Sequence, residues 1–303
     1  MLINIDQKKE ALFTIPEKPL CTTSDWIIDQ NWNQYTSTEH ATWKVLYEQM
    51  CKMLYGRVCD EFLQGLGILK ISPDHIPSFD SLSDSLMKHT GWQYVAVPGL
   101  IPDEIFFEHL ANRRFPAASF MRKPNELGYL EVPDVFHDVF GHAPLLTNPF
   151  MADFIQAFGL AALNAISIGK LDQLARVYWY TIETGLVQQK NGLRAFGAAI
   201  SSSAKETTFA LEDKSPNRIQ FDLERVMRTD FYIYDLQETY FVLNDLEDFL
   251  ELARFDFLPL YKKLDGTEDI GRGDTTESDL VLQYGTGAYH LKNQTPKLAL
   301  VTA

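Results

Sequence analysis

Two histidines five residues apart constrain this chain more than any other feature: His137 and His142, in Val132-Pro-Asp-Val-Phe-His-Asp-Val-Phe-Gly-His-Ala-Pro-Leu-Leu146. An uninterrupted α-helix turns each side chain by about 100°, so a five-residue step leaves the second ring roughly 140° from the first. On a plain helix the pair cannot serve one metal ion. Gly141 is a natural helix terminator and Pro144 cannot continue a helix. The pattern therefore predicts a short helix from about Pro133, with Asp134 in its first turn, that carries His137 and ends near Phe140. A turn at Gly141 then brings His142 back toward His137.

A third ligand is offered by Glu183, inside the apolar, aromatic run Leu174-Ala-Arg-Val-Tyr-Trp-Tyr-Thr-Ile-Glu-Thr-Gly-Leu-Val187. A carboxylate in such a setting needs a positive partner. A metal ion is one; Arg176 or Arg194 is the purely structural alternative. Two neutral imidazoles and one carboxylate make the facial triad of non-haem Fe(II) oxygenases, which leaves three coordination positions open. Rival metal signatures are missing. Neither histidine begins a His-Glu-x-x-His zinc-protease helix, and none of the seven histidines is followed by the His-x-Asp or His-x-Glu of 2-oxoglutarate-dependent iron enzymes,. Cys21, Cys51 and Cys59 lack the short paired spacings of structural zinc. A zinc hydrolase or a non-catalytic metal-binding protein stays open as the alternative from another class.

Composition bounds the partners. Lys and Arg number 27 against 41 Asp and Glu, a formal charge of −14, so the basic footprint of a nucleic-acid or acidic-membrane binder is missing,. With 303 residues, 46% of them hydrophobic, the chain can bury one large core or two modest ones,. Met1 to Leu20 is interrupted by Asp6, Lys8, Lys9 and Glu10, and no apolar stretch is read as reaching about 18 residues. A cytoplasmic protein with free thiols is expected. Cys51 and Cys59, on one predicted helix, would lie roughly 12 Å apart, too far for a disulfide.

From Glu39 to about Leu66, Trp43, Leu46, Met50, Leu54, Val58 and Phe62 recur at steps of three and four and predict one long amphipathic helix. A helix is expected around Ser78 to Thr90, a strand over Trp92 to Val97, a helix entered through Pro102, and an extended segment ending at Arg122. Two strong helices follow, from Phe150 to about Ile168 and from Asp172 to about Gln189. Phe231–Tyr234 and Thr239–Leu243 read as a small hairpin, before a helix from about Asp245 to Ala253. The glycines of the acidic loop Asp265 to Asp274 are no dinucleotide fingerprint, and no heptads mark the C-terminus. The fold class expected is mainly α with a few short β-strands: an N-terminal arm over 1–35, one catalytic domain over 36–264 and a C-terminal extension over 265–303.

Three blocks in this order carry a resemblance: the histidine run, Tyr-Trp-Tyr-Thr-Ile-Glu-Thr-Gly-Leu, and Ala-Phe-Gly-Ala-Ala-Ile-Ser-Ser-Ser ending at Ser203. From about Trp43 to Phe257 the chain resembles the pterin-dependent aromatic amino acid hydroxylases, most of all their bacterial phenylalanine-hydroxylating branch. The resemblance implies that His137, His142 and Glu183 bind Fe(II), and that O2 and a tetrahydropterin, tetrahydrobiopterin or a bacterial equivalent, react there. L-phenylalanine would be hydroxylated to L-tyrosine, with tryptophan or tyrosine as alternative substrates on the same scaffold. Arg122 falls where the family pairs the substrate carboxylate with arginine. Trp179 and Ser203 fall on the amino acid pocket, and Ser202 where a serine beside that pocket orients the first iron histidine. Phe106 matches the ring that stacks on the pterin, Leu100 and Ile101 line the same slot, and Asp138 stands where animal members have Glu near the pterin. Val132 replaces the acidic residue common before Pro-Asp, and Thr184 stands where animal members place Phe. A monomer without a regulatory domain is implied.

Overall fold

Thr36 opens the first helix by a reciprocal cap: its hydroxyl accepts the Glu39 N–H at 3.2 Å, and the Glu39 carboxylate accepts the Thr36 N–H at 2.7 Å,. The computed structural model describes residues 24–128 and 132–293. Residues 1–23 of the expected arm, Cys21 among them, and the end of the expected extension lie outside the described residues. Helix α1 spans Ser37–Leu54 and α2 spans Asp60–Leu69. The single helix expected as far as Leu66 is thus two helices. Gly56, at φ +72°, turns the chain between them, while the apolar stripe continues across the break because both helices cover the same core,. Cys51 sits on α1 and Cys59 caps α2, and both are free.

Next come α3 (Phe79–His89), β1 (Gln93–Val97), α4 (Asp103–Ala111) and β2 (Arg114–Ala118), with β1 and β2 paired in parallel. Helix α5 (Ala143–Leu146) continues the histidine helix, followed by α6 (Pro149–Ser167) and α7 (Leu171–Tyr178). The chain then makes β3 (Leu186–Gln189), β4 (Gly192–Ala195), α8 (Ala198–Ser201), α9 (Ala204–Glu212), β5 (Asn217–Gln220), α10 (Leu223–Met227) and β6 (Thr239–Leu243). It closes with α11 (Asp248–Ala253), α12 (Phe257–Leu264), β7 (Val281–Gln283) and α13 (Ala288–Asn293).

Five strands form a mixed sheet in the order β4-β3-β6-β5-β7. The hairpin expected between Phe231–Tyr234 and Thr239–Leu243 does not form. Strand β6 pairs in parallel with both β3 and β5 instead, and all five of its residues are buried, so no two-residue alternation marked its neighbours,. The segment after Leu264 is tied to the domain: β7 joins the sheet, and Asp269 and Asp279 pair with the buried Arg176 and Arg225. Helix α6, with 19 residues and a mean hydropathy of 1.3, is long and apolar enough to cross a membrane, against the expectation that no such stretch exists. In the fold it packs on α4 and α11, buries Phe154 and Phe158, and carries Asp153 paired with Arg113.

Candidate metal centre

The segments that carry the three candidate ligands both widen into π-helix, over His137–His142 and Trp179–Glu183. Hydrogen bonds spanning five residues widen the turn and bring side chains five apart much nearer to one face than an α-helix does. This corrects the turn expected at Gly141: the helix runs on through Gly141 into α5, and its wider turn is what aligns His142 with His137. Pro144 has no N–H for the Phe140 carbonyl, so the widening forfeits no α-helical bond there. Gly141 allows a close approach of α8: a Cβ would meet the Ala198 carbonyl oxygen at 3.0 Å, so that α8 would have to give way slightly. On the opposite side of the helix, Phe136 and Phe140 stack with centroids 4.9 Å apart and bury their rings against Trp43, Tyr47 and Phe62 of α1 and α2. That packing fixes the rotation of the histidine face. The helix expected to reach Gln189 ends at Glu183, where the Thr184 N–H and hydroxyl both donate to the Trp179 carbonyl at 2.8 Å.

His137 Nε2 and His142 Nε2 lie 3.3 Å apart, and the Glu183 oxygens lie 3.5 Å from the first and 3.4 Å from the second. The arginine alternatives fail. Arg176 pairs with Asp269 and Asp230, and Arg194 donates to the carbonyls of Leu193 and Asn191. The Ser202 hydroxyl donates to the Ala198 carbonyl at 2.7 Å, so its oxygen accepts the Nδ1–H of His137 at 2.9 Å,. That fixes the tautomer with a bare Nε2. Burial pushes His137 down to about 4, although Glu183 opposes the shift, so the ring is neutral at pH 7,. Burial alone would raise the Glu183 carboxyl; the attraction and hydrogen bond of His142 and the attraction of His137 hold it below its usual value. A bare nitrogen, a second imidazole nitrogen and a carboxylate crowded within 4.8 Å of one another form an electron-rich set, and a divalent cation fits it,. Ser202→Ala is expected to weaken metal binding about 10- to 100-fold with the fold intact, checked by metal titration; unchanged affinity would deny Ser202 its orienting role.

A cavity of about 320 Å³ opens on His137, His142 and Glu183. Its wall brings together Arg122, Trp179, Ser202, Ser203, Leu100, Ile101, Phe106 and Asp138. Arg122 is clamped by Asp134 through two 2.8 Å bonds, from Nε and Nη2. Trp179 stacks on Phe231 at 4.8 Å, and its buried indole N–H has no partner among the described residues. Burial pushes the Asp138 carboxyl up to about 7, and its Oδ2 accepts the Ala118 N–H at 2.7 Å. Val132 lines the cavity, whereas Thr184 closes the π-helix.

Sequence reasoning missed Tyr178, Asp235 and Glu206 on this wall, and Phe231 behind Trp179. Ser203-Ala-Lys-Glu206 has the spacing of a capping box. Only half of that box forms: the Ser203 hydroxyl accepts the Glu206 N–H, while the Glu206 carboxylate turns to the Tyr240 hydroxyl at 3.2 Å. Burial pushes Glu206 up to about 7, with Glu183 and Asp235 adding to the shift against Tyr240 and Lys205. Because this folded-state value is raised, the cost of an ionised Glu206 is absent below about 4.5, grows as pH rises from there to about 7, and is complete above 7,. In the metal-free protein, Glu206→Gln should therefore gain stability on the parent by on the order of 1 kcal/mol from pH 5 to pH 8, a value discounted for partial solvation in the cavity. Urea unfolding across that range checks this, and a pH-independent gap would contradict it.

Comparison with known proteins places this geometry. Residues 30–260 match the family model of the biopterin-dependent aromatic amino acid hydroxylases. The chain is 53% identical over 262 residues to a phenylalanine-4-hydroxylase of Ralstonia nicotianae, covering 86% of this chain and 84% of the relative. It superposes on the iron- and phenylalanine-bound crystal structure of Chromobacterium violaceum phenylalanine hydroxylase with a TM-score of 0.82 at 47% identity, over 86% of this chain and 95% of the other. The structure of that enzyme with iron(III) and oxidised 7,8-dihydrobiopterin gives a TM-score of 0.82 at 48% identity, over 86% and 94%.

Proposed function

The chain belongs to the biopterin-dependent aromatic amino acid hydroxylases, and from that premise we propose that it is a phenylalanine 4-hydroxylase, converting L-phenylalanine to L-tyrosine with O2 and a tetrahydropterin. The observation that carries the reading is the convergence of His137, His142 and Glu183 on one point in the cavity wall, with no arginine among them. Fe(II) held by these three residues, with the tetrahydropterin beside it, supplies the site and the electrons for activating dioxygen.

The protein's own residues bind, orient and keep water out. Ser202 holds His137 in the tautomer that presents Nε2. Arg122, flattened against Asp134, offers its remaining N–H groups to the amino acid carboxylate, which fixes where the aromatic ring lies,. Trp179, braced by Phe231, walls the ring and excludes water beside Ser203,. Phe106 with Leu100 and Ile101 makes an apolar slot suited to the flat face of a pterin,. Beside that slot the Asp138 carboxyl, pushed up to about 7, is poised to hold or release one proton at Oδ1, the oxygen opposite the one that Ala118 occupies,.

Iron-loaded protein given tetrahydrobiopterin and O2 is expected to form tyrosine from L-phenylalanine and to turn over tryptophan more slowly. No tyrosine from the iron-loaded protein would sink the reading. We propose also a cytoplasmic monomer, for which equilibrium sedimentation should give a mass near 34.6 kDa; a mass twice that would contradict it.

A further inference from the structure

An α-amino acid arrives as a zwitterion, so a pocket that holds its carboxylate on Arg122 leaves an ammonium group to be matched. We propose that Glu206 binds the α-ammonium group of the substrate, an inference that rests on the amino acid hydroxylase reading above. Among the described residues, the carboxylates at the cavity are Asp138, Glu183, Glu206 and Asp235, with Asp134 behind Arg122. Asp134, Glu183 and Asp235 are committed elsewhere, and Asp138 has one oxygen on β2 and the other beside the pterin slot. Asp134 is fully buried and accepts four hydrogen bonds, from the backbone N–H, Nε and Nη2 of Arg122 and from the His137 N–H. Glu183 faces both imidazoles. Asp138 accepts the Ala118 N–H of β2. Asp235 accepts the Tyr289 hydroxyl at 2.9 Å and lies 3.8 Å from His290, so it is held by α13.

Glu206 differs from Asp134, Glu183 and Asp235 in keeping one oxygen open, and from Asp138 in standing next to Ser202 and Ser203 of the amino acid pocket rather than beside the pterin slot. Its Oε1 accepts the Tyr240 hydroxyl at 3.2 Å, and among the described residues no hydrogen bond reaches its Oε2. The carboxylate could have closed the capping box on the Ser203 N–H, but that N–H donates to the Ile200 carbonyl and the side chain turns into the cavity wall. A carboxylate in a half-apolar wall is costly to ionise when the neighbouring cation, Lys205, turns its Nζ to the Tyr289 hydroxyl at 3.1 Å,. A bound ammonium supplies the missing charge, and the charge-assisted bond so formed is among the strong ones.

The test measures binding of L-phenylalanine and of 3-phenylpropanoate, which lacks only the ammonium group, to the iron-loaded protein by anaerobic calorimetry. The parent protein is expected to prefer L-phenylalanine by about 10- to 100-fold, and Glu206→Gln to lose that preference by weakening L-phenylalanine alone. Iron content and the KM for tetrahydropterin should stay unchanged. Glu206→Asp, which keeps the charge, and Tyr240→Phe, which removes only the supporting hydroxyl, should retain most of the preference. A Glu206→Gln protein that still prefers L-phenylalanine, or that weakens both ligands equally, overturns the proposal and leaves Glu206 a structural partner of Tyr240. Because the readout is binding, it decides the role of Glu206 apart from turnover; formation of tyrosine by the parent protein tests the hydroxylase reading separately.

Discussion

Replacing Glu183 with Ala should weaken iron binding by more than about 100-fold and take tyrosine formation below detection. A residue that merely orients a ligand is worth 10- to 100-fold in metal affinity, and Glu183 supplies one of only three ligands itself. The fold should survive, because among the described residues the carboxylate bonds to no backbone group and its polar neighbours are the two imidazoles. Glu183→Gln separates charge from shape: it fills the same space, removes the negative charge, and should lose iron almost as completely. Iron content after gel filtration, with circular dichroism as the folding control, is the check. Stoichiometric iron in either variant would mean that the carboxylate is not a ligand.

Gly197→Ala should damage the same site through the backbone. An added Cβ would stand 2.4 Å from the Glu183 carbonyl oxygen and 2.5 Å from the Gly185 nitrogen, both backbone atoms that no rotamer change can move aside. Overpacking of this kind costs typically about 1–3 kcal/mol, and here the displaced chain carries a ligand. Iron affinity should fall together with stability. Gly159→Ala is the control: its Cβ would stand 2.4 Å from the Ala111 nitrogen, where α6 crosses α4 away from the ligands. It should lose stability to a similar extent while keeping stoichiometric iron. Urea unfolding and iron content measured on both proteins test this, and a Gly197→Ala protein with parental stability and iron would show that the chain near Glu183 yields freely.

The chemistry of the site was more legible in the sequence than its geometry. Glu183 stands out because a carboxylate inside an apolar run needs a partner, and that argument needs no coordinates; His137 and His142 stand out as a pair flanking an apparent helix stop. The π-helical widening did not stand out, since a reading tuned to 3.6 residues per turn has no template for it, and Gly141 and Pro144 then look like a helix end. The merger of α1 and α2 has a similar cause: one apolar stripe covers one core, and the bend is recorded only in the backbone of Gly56. Strand β6 was mispaired because burial on both faces erases alternation. Glu206 was concealed by a capping signal that explained its spacing without its side chain. The ion pairs of Arg176 with Asp269 and Arg225 with Asp279 join residues far apart in sequence, so the role of the last turns of chain in completing the domain left no local mark.

The most direct test of the account is anomalous diffraction at the iron edge from crystals grown anaerobically with Fe(II). The account predicts one strong peak within coordinating distance of His137 Nε2, His142 Nε2 and a Glu183 oxygen, inside the cavity that Arg122 and Phe106 line. A peak elsewhere, or a Glu183 carboxylate turned away from both imidazoles with iron present, would contradict it.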